Sequence, residues 1–525
     1  MTELKAKKSY SKKPSKKERL SQELASKQRA DEQKSRVESG GVYIRADGVA
    51  VSAAALAARR AALGMAQEAD DIAAPARASK PSRTRSAYGQ STIEKIAAPS
   101  KSGDRLAQCL WRAQILLAEL LKFDAAADKL ISKFLREHKE LGVRDRHIVA
   151  ETVYAVLRQR RVFAHLAQTG AGALERRLVL LGAQTCVDTA ALAGAVPEDE
   201  MNWLRQISTV DTSAMPAAVR SNFSDEWYGA LSAAYGETEA LALAQALNQT
   251  APLDIRVNTI KSSREAVKVA LEYAGVAAED CAFSPQGLRL AGKPALQKLD
   301  LFQTGAVEVQ DEGSQLLTLL LGAKRGEMVA DFCAGAGGKT LAIGAMMKNT
   351  GRLYAIDVAG HRLAKLKPRL ARSGLSNVQS ITIENETDAR VKRLYNKLDR
   401  VFIDAPCSGL GTLRRNPDLK WRHGMDSVAR LASLQASILN SASQLVKIGG
   451  TVVYATCSVL PDENQNVVNA FLAANPNFEI VNVIDALAVQ NVTLPADAVR
   501  NGFLQLLPHI HNTDGFFAAC LKRVA

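Results

Sequence analysis

The chain has 525 residues, 47% of them hydrophobic, and 68 Lys and Arg against 54 Asp and Glu give a formal net charge of +14. That length admits several domains with separate cores, and the excess of cations favours a polyanionic partner through counterion release. There is no apolar run of the length a membrane span needs and no apolar secretory signal, and the seven scattered cysteines form no CxxC pair or Cys/His cluster. These features exclude a disulfide scaffold and a structural zinc site, and lead us to expect a cytoplasmic protein without a metal.

Residues 1–100 contain the block Lys12-Lys13-Pro14-Ser15-Lys16-Lys17 and, between positions 70 and 102, a stretch rich in Ala, Pro, Ser and cations. So little apolar surface cannot offset the entropy of ordering, so a disordered basic arm is expected, with a transient helix at 53–65. Over 101–245 the pattern turns helical. Leu106, Leu110, Leu117 and Leu121 recur at helix spacing, and Val149, Val153, Val156 and Leu157 follow Gly142-Val143-Arg144-Asp145-Arg146. This stretch resembles the NusB-like helical RNA-binding domain, in residues 142–146 and in Tyr154 and Arg158. Residues 246–304 read as a small α+β unit, with a strand at Leu253-Asp254-Ile255-Arg256-Val257, a helix over 263–274 and a strand at Gly287-Leu288-Arg289-Leu290. From 305 to 525 buried strands alternate with helices, with strands expected at 328–332, 352–356, 378–383, 400–403 and 450–454, the signature of an α/β domain.

The first of these strands runs into Cys333-Ala334-Gly335-Ala336-Gly337-Gly338-Lys339-Thr340, which opens a helix. Glycines let the backbone turn tightly and approach a ligand, and a helix N-terminus offers unpaired N–H groups to an anion. A phosphate-binding P-loop needs glycine five residues before its Gly-Lys-Thr; that position is Cys333, so the reading fails on spacing. The second strand ends at Asp357, an acid placed for the ribose hydroxyls of an adenosyl cofactor or of a dinucleotide. Spacing alone does not separate the two cofactors.

The fourth strand ends in Asp404-Ala405-Pro406-Cys407-Ser408 and the fifth in Thr456-Cys457-Ser458. In a doubly wound sheet the carboxyl ends of strands line one crevice, so both thiols face the cofactor. A thiol there suits one demanding reaction. Cytosine C5 is a poor nucleophile until a thiolate adds to C6, and such a thiolate needs a lowered pKa near neutral pH.

On these residues the chain resembles the RsmB/NOP/Sun family of RNA cytosine-5 methyltransferases, in its bacterial 16S rRNA branch. Pro406-Cys407 resembles that family's Pro-Cys motif and Thr456-Cys457-Ser458 its Thr-Cys-Ser motif. Arg256-Val257-Asn258, Gln310-Asp311-Glu312-Gly313-Ser314, Glu463-Asn464 and Asp514-Gly515-Phe516-Phe517 also match. The resemblance implies a Rossmann-like class I methyltransferase domain over 305–525, preceded by the all-α NusB-like domain and the small α+β subdomain. It makes Cys457 the nucleophile, Cys407 the cysteine that assists product release, and Asp404 an acid at cofactor and base. S-adenosylmethionine is the implied cofactor, held by Cys333, Ala334, Gly335, Ala336, Gly337, Gly338, Lys339, Asp357, Asp404 and an acid after the third strand, for which Asp388 is chosen. Ala336 stands where many members carry proline. The segment Arg414-Arg415-Asn416-Pro417-Asp418-Leu419-Lys420-Trp421 resembles a loop whose cations and aromatic ring hold RNA. The implied partner is RNA, rRNA in particular, with a monomeric protein. The alternatives are the same chemistry on tRNA and a non-catalytic ribosome-assembly factor that binds RNA.

Overall fold

The computed structural model describes residues 42–44, 50–52 and 104–525. Apart from β1 (Val42–Ile44) and β2 (Ala50–Ser52), which pair antiparallel, the expected basic arm and its helix lie outside the described residues.

Asp104 caps the helix Arg105–Leu120 by accepting the Leu106 N–H, satisfying one of the donors a helix start leaves unpaired. This helix packs with Val143–Leu166 and Leu174–Ala183 around Leu110, Leu117, Val149, Val153 and Leu180. A Cβ at Gly182 would lie 2.6 Å from the Thr152 carbonyl oxygen, so glycine permits this close crossing. The helical unit expected to run to 245 divides in the structure. The first core ends at Met215, whereas Phe223, Trp227, Leu231, Leu243 and Leu247 share a core with Leu410, Leu413, Val459 and Leu507. The helices Asp225–Tyr235 and Glu237–Leu247 therefore turn their apolar residues to the loops of the last domain, not to the preceding bundle.

Next come β3 (Leu253–Val257), β4 (Ala278–Asp280), β5 (Gly287–Leu290) and β6 (Val307–Val309), an antiparallel sheet in the order β4-β5-β3-β6. β6 lies past position 304, so the sequence break falls inside this sheet. The turn at Gly305 joins the short helix Asp300–Gln303 to β6 within this unit and is not a domain boundary. One face, Ile255, Val257 and Leu288, packs with Val267 and Leu271 of the helix Arg264–Tyr273. Asp254 and Glu308 are buried as well, and join the sheet to the last domain: Asp254 accepts the Glu312 N–H and Glu308 pairs with Arg369 and Arg372.

The last domain is a nine-stranded sheet: β7 (Met328–Phe332), β8 (Arg352–Asp357), β9 (Val378–Thr382), β10 (Leu398–Asp404), β11 (Val446–Thr456), β12 (Phe478–Ile480), β13 (Val499–Arg500), β14 (Phe503–Leu506) and β15 (Phe516–Arg523). The order is β13-β14-β15-β11-β10-β7-β8-β9, with β12 added on β15. Strands β7 to β11 are parallel, and β15 runs antiparallel between β11 and β14. Strand order reverses between β7 and β10, which puts a crevice at their carboxyl ends. Among the described residues no helix is long and apolar enough to cross a membrane.

Candidate active site

The chain leaves β7 through three left-handed residues in five positions: Cys333 (φ 69°), Gly335 (φ 58°) and Gly337 (φ 83°). Cys333 is the uncommon case, because a side chain there strains the backbone. Gly337 caps the helix Gly338–Met346, and a Cβ on it would lie 2.1 Å from Leu366 Cδ1. Asp357, at the tip of β8, is buried and shapes the loop: Oδ2 accepts the Gly335 N–H at 2.7 Å and Oδ1 the Ala359 N–H at 2.7 Å. A carboxylate has about four acceptor sites, so room remains for two hydroxyl donors.

Asp331 was not singled out by the sequence. It lies fully buried in β7, its Oδ2 accepting the Thr340 hydroxyl at 2.5 Å while Oδ1 has no partner among the described residues. Burial pushes its carboxyl up to about 7. A free acceptor beside a loop lacking two Cβ atoms fits a ligand that carries positive charge, as S-adenosylmethionine does. Lys339 leads from the loop to the thiols, its ammonium 2.8 Å from Asp404 Oδ2 at the end of β10. Burial pulls the Lys339 pKa down, but Asp404 outweighs it and the net shift is upward, with a Cys457 thiolate adding to the attraction.

β10 and β11 pair in parallel up to Asp404 and Ala455, which carries their two Cys-Ser tips side by side. The sulfurs of Cys407 and Cys457 are 3.3 Å apart and both residues are half-buried. The hydrogen bond to Cys457, then burial, hold the Cys407 thiol well above its ordinary range. Either sulfur can be the donor in the hydrogen bond between them.

Beneath the pair sits Glu463, with no exposed surface. Its Oε1 accepts the Ser408 N–H at 2.7 Å and the Gln435 amide at 3.2 Å, and its Oε2 accepts the hydroxyls of Ser408 and Ser458. One carboxylate thus ties together the residues that follow both cysteines. Tyr454 donates to the Glu463 carbonyl at 2.7 Å, and Asn464 donates to the Ser458 carbonyl at 2.9 Å. The Gly411 N–H donates to the Cys457 carbonyl at 2.9 Å, fixing the backbone of that residue.

The loop expected to offer cations to RNA turns inward instead. Arg415 pairs with Asp514 and with Asp311 at 2.9 Å, and Arg414 donates to the Thr513 carbonyl at 3.0 Å. Burial, then Asp311, push the Asp514 carboxyl up to about 7 despite Arg415. Lys420 is buried between Phe223 and Trp421 and donates to the Arg158 carbonyl at 2.9 Å and to Asn248, while Trp421 donates to the Leu157 carbonyl at 2.9 Å. Burial drives the Lys420 ammonium well below its ordinary pKa. These side chains join the helices to the last domain.

Asp388 likewise has local partners. It caps the helix Ala389–Lys392, accepts the N–H groups of Glu384 and Arg390, and forms an ion pair with the Arg390 guanidinium. That pair holds its carboxyl below the usual range. None of these contacts reaches Asp357 or the loop. A further acidic group, Asp254, Cys281 and Glu312, has ligand atoms within 4.8 Å of one another. The Arg289 guanidinium faces it, 2.8 Å from Asp254 and 3.7 Å from Glu312, and supplies the local positive charge.

A mixed sheet with five parallel strands in this order, a glycine-rich loop at its switch point and two thiols at neighbouring strand tips define a Rossmann-like methyltransferase. Residues 318–522 match the family model for the 16S rRNA methyltransferase RsmB/F, and residues 224–297 match the ferredoxin-like domain of RsmF/B-like methyltransferases. The probable ribosomal RNA small subunit methyltransferase B of Synechocystis sp. is 33% identical over 444 residues, covering 78% of this chain and 98% of that protein. Its counterpart in Bacillus subtilis is 35% identical over 269 residues, covering 51% of this chain and 59% of that protein. The chain belongs to the RsmB/F family. Among solved structures, a methyltransferase homologue from Pyrococcus horikoshii is 27% identical at a TM-score of 0.51, covering 60% of this chain and 100% of that one. NSun6 from Pyrococcus horikoshii, solved with SFG, shares the fold at a TM-score of 0.51 and 21% identity, over 58% of this chain and 99% of that one.

Proposed function

We propose that this chain methylates C5 of a cytosine in RNA, with 16S rRNA as substrate, using S-adenosylmethionine and a covalent Cys457–C6 intermediate. The observation that carries the reading is the pair of thiols 3.3 Å apart at the tips of β10 and β11. When bound, S-adenosylmethionine supplies an electrophilic methyl group.

Cys457 supplies the electron pair that forms the bond to C6, and the C5–C6 double-bond electrons then become available at C5. The Cys407 S–H stabilises the Cys457 thiolate before attack. After methylation a base takes the C5 proton, the double bond re-forms, the C6–S bond breaks, and the departing sulfur again accepts from Cys407. Lys339 and Asp404 place a paired cation and acid in the same crevice. Asp357 serves the ribose hydroxyls with its remaining acceptor sites. The test is transfer of labelled methyl from S-adenosylmethionine to RNA, followed by bisulfite mapping of rRNA and tRNA from cells lacking the protein. A 16S cytosine that loses protection supports the reading; a lost tRNA signal with unchanged 16S rRNA replaces its substrate.

A further inference from the structure

The stretch 335–337 has a left-handed glycine on each side of Ala336. Such a segment has large backbone freedom, and its residues contribute the groups that face the ligand. Asp357 holds the Gly335 N–H on one side. On the other, Arg369 in the helix Leu366–Ser373 donates from Nη1 to the Ala336 carbonyl at 2.7 Å. Its Nη2 donates to Glu308 Oε2 at 2.9 Å, and Arg372 pairs with the other oxygen of the same carboxylate. Glu308 is buried in β6, in the small antiparallel sheet. A guanidinium held at one end by a fixed carboxylate has lost most of its rotamer freedom, so it meets the loop carbonyl already aimed.

We propose that Arg369 is the positioning residue of the cofactor loop, and that Glu308 aims it from the small sheet. The sheet thereby controls cofactor affinity without touching the cofactor. The proposal rests on the S-adenosylmethionine reading of the loop. Ala336 offers a way to separate stiffness from charge: its φ is not in the left-handed region and its N–H makes no hydrogen bond among the described residues. Proline there would restrict the loop by covalent means.

The experiment uses the full chain in four forms: wild type, Arg369→Gln, Glu308→Gln and the double variant Arg369→Gln/Ala336→Pro. Hydrogen exchange over 333–340 is followed without ligand, and S-adenosylmethionine binding is measured by calorimetry. Arg369→Gln should exchange faster in this segment alone and bind about tenfold more weakly, or about 1.4 kcal/mol, with KM for RNA unchanged. Glu308→Gln should weaken binding about threefold, since the arginine remains but is less firmly aimed. The double variant should recover most of the affinity and slow the exchange again. Wild-type exchange and affinity in Arg369→Gln would overturn the proposal. So would a double variant no better than Arg369→Gln, or a loss shared by KM for RNA and melting temperature. If the wild type binds no S-adenosylmethionine, the cofactor reading fails and the exchange measurement still decides the clamp.

Discussion

Charged side chains, several within reach of water, hold the loop after β7: Asp357 on Gly335, Lys339 against Asp404, and Arg369 between Glu308 and Ala336. Beneath the thiols a single fully buried carboxylate, Glu463, is held by neutral donors from Ser408, Ser458 and Gln435. The difference follows from what each half must do. On the proposed reading this loop admits and releases a cofactor, and its part-exposed partners Lys339, Asp404 and Arg369 make contacts that can open and re-form. In the proposed mechanism one sulfur attacks and leaves while its neighbour assists, which needs a fixed separation, and a buried network is costly to disturb.

Replacing Glu463 should therefore produce the largest effect. Glu463→Ala strands two hydroxyls, a backbone N–H and an amide in a dry site, and should lower unfolding free energy by about 3 kcal/mol or more in urea titration. Glu463→Gln keeps the shape but offers donors where acceptors are needed; it should fold, bind S-adenosylmethionine normally and lose most methyl transfer. Normal turnover in Glu463→Gln would show that the charge beneath the thiols is dispensable.

At the proposed cofactor end, Asp357→Ala should weaken S-adenosylmethionine binding by about 1.5–3 kcal/mol in calorimetry, with a smaller loss of stability than Glu463→Ala because only the Gly335 and Ala359 N–H groups lose their acceptor. Unchanged affinity in a folded variant would remove Asp357 from the ribose site and break the comparison at its charged end.

A smaller effect is expected from Asp331. Its folded-state pKa of about 7 lies above the ordinary 3.8, so the folded chain binds this proton more tightly than the unfolded one. The stabilising contribution is full below 3.8 and is lost as pH rises through about 7. Asp331→Asn should thus gain stability relative to wild type as pH increases across that window. Parallel stability–pH curves for the two proteins would contradict the assignment.

Much of this was legible as short runs of adjacent residues. Cys333 to Lys339, Asp357, Asp404-Ala405-Pro406-Cys407 and Thr456-Cys457-Ser458 each announce themselves because the turn and its chemistry are contiguous. Arg369 did not, because its partners Ala336 and Glu308 lie 33 and 61 positions away. The inward turn of the cations of 414–421 is hidden for the same reason: a free arginine and one paired with a residue 99 positions off, as Arg415 is with Asp514, look identical in sequence. The strand β15 escaped notice because Phe516 to Leu521 are all buried, which erases the alternation that marks a half-exposed strand. Asp388 drew attention as an acid after the third strand, a position that a helix cap fills equally well.

The most direct test of the central claim is one denaturing gel with labelled RNA, S-adenosylmethionine and three variants. Cys457→Ala removes the sulfur that adds to C6 and should give neither methylation nor adduct. Cys407→Ala keeps that sulfur but loses the S–H that assists its departure, so a protein–RNA adduct should accumulate. The double variant should show none, because accumulation requires the nucleophile. An adduct in Cys457→Ala but not in Cys407→Ala would reverse the two roles, and methylation without adduct in every variant would contradict the covalent mechanism.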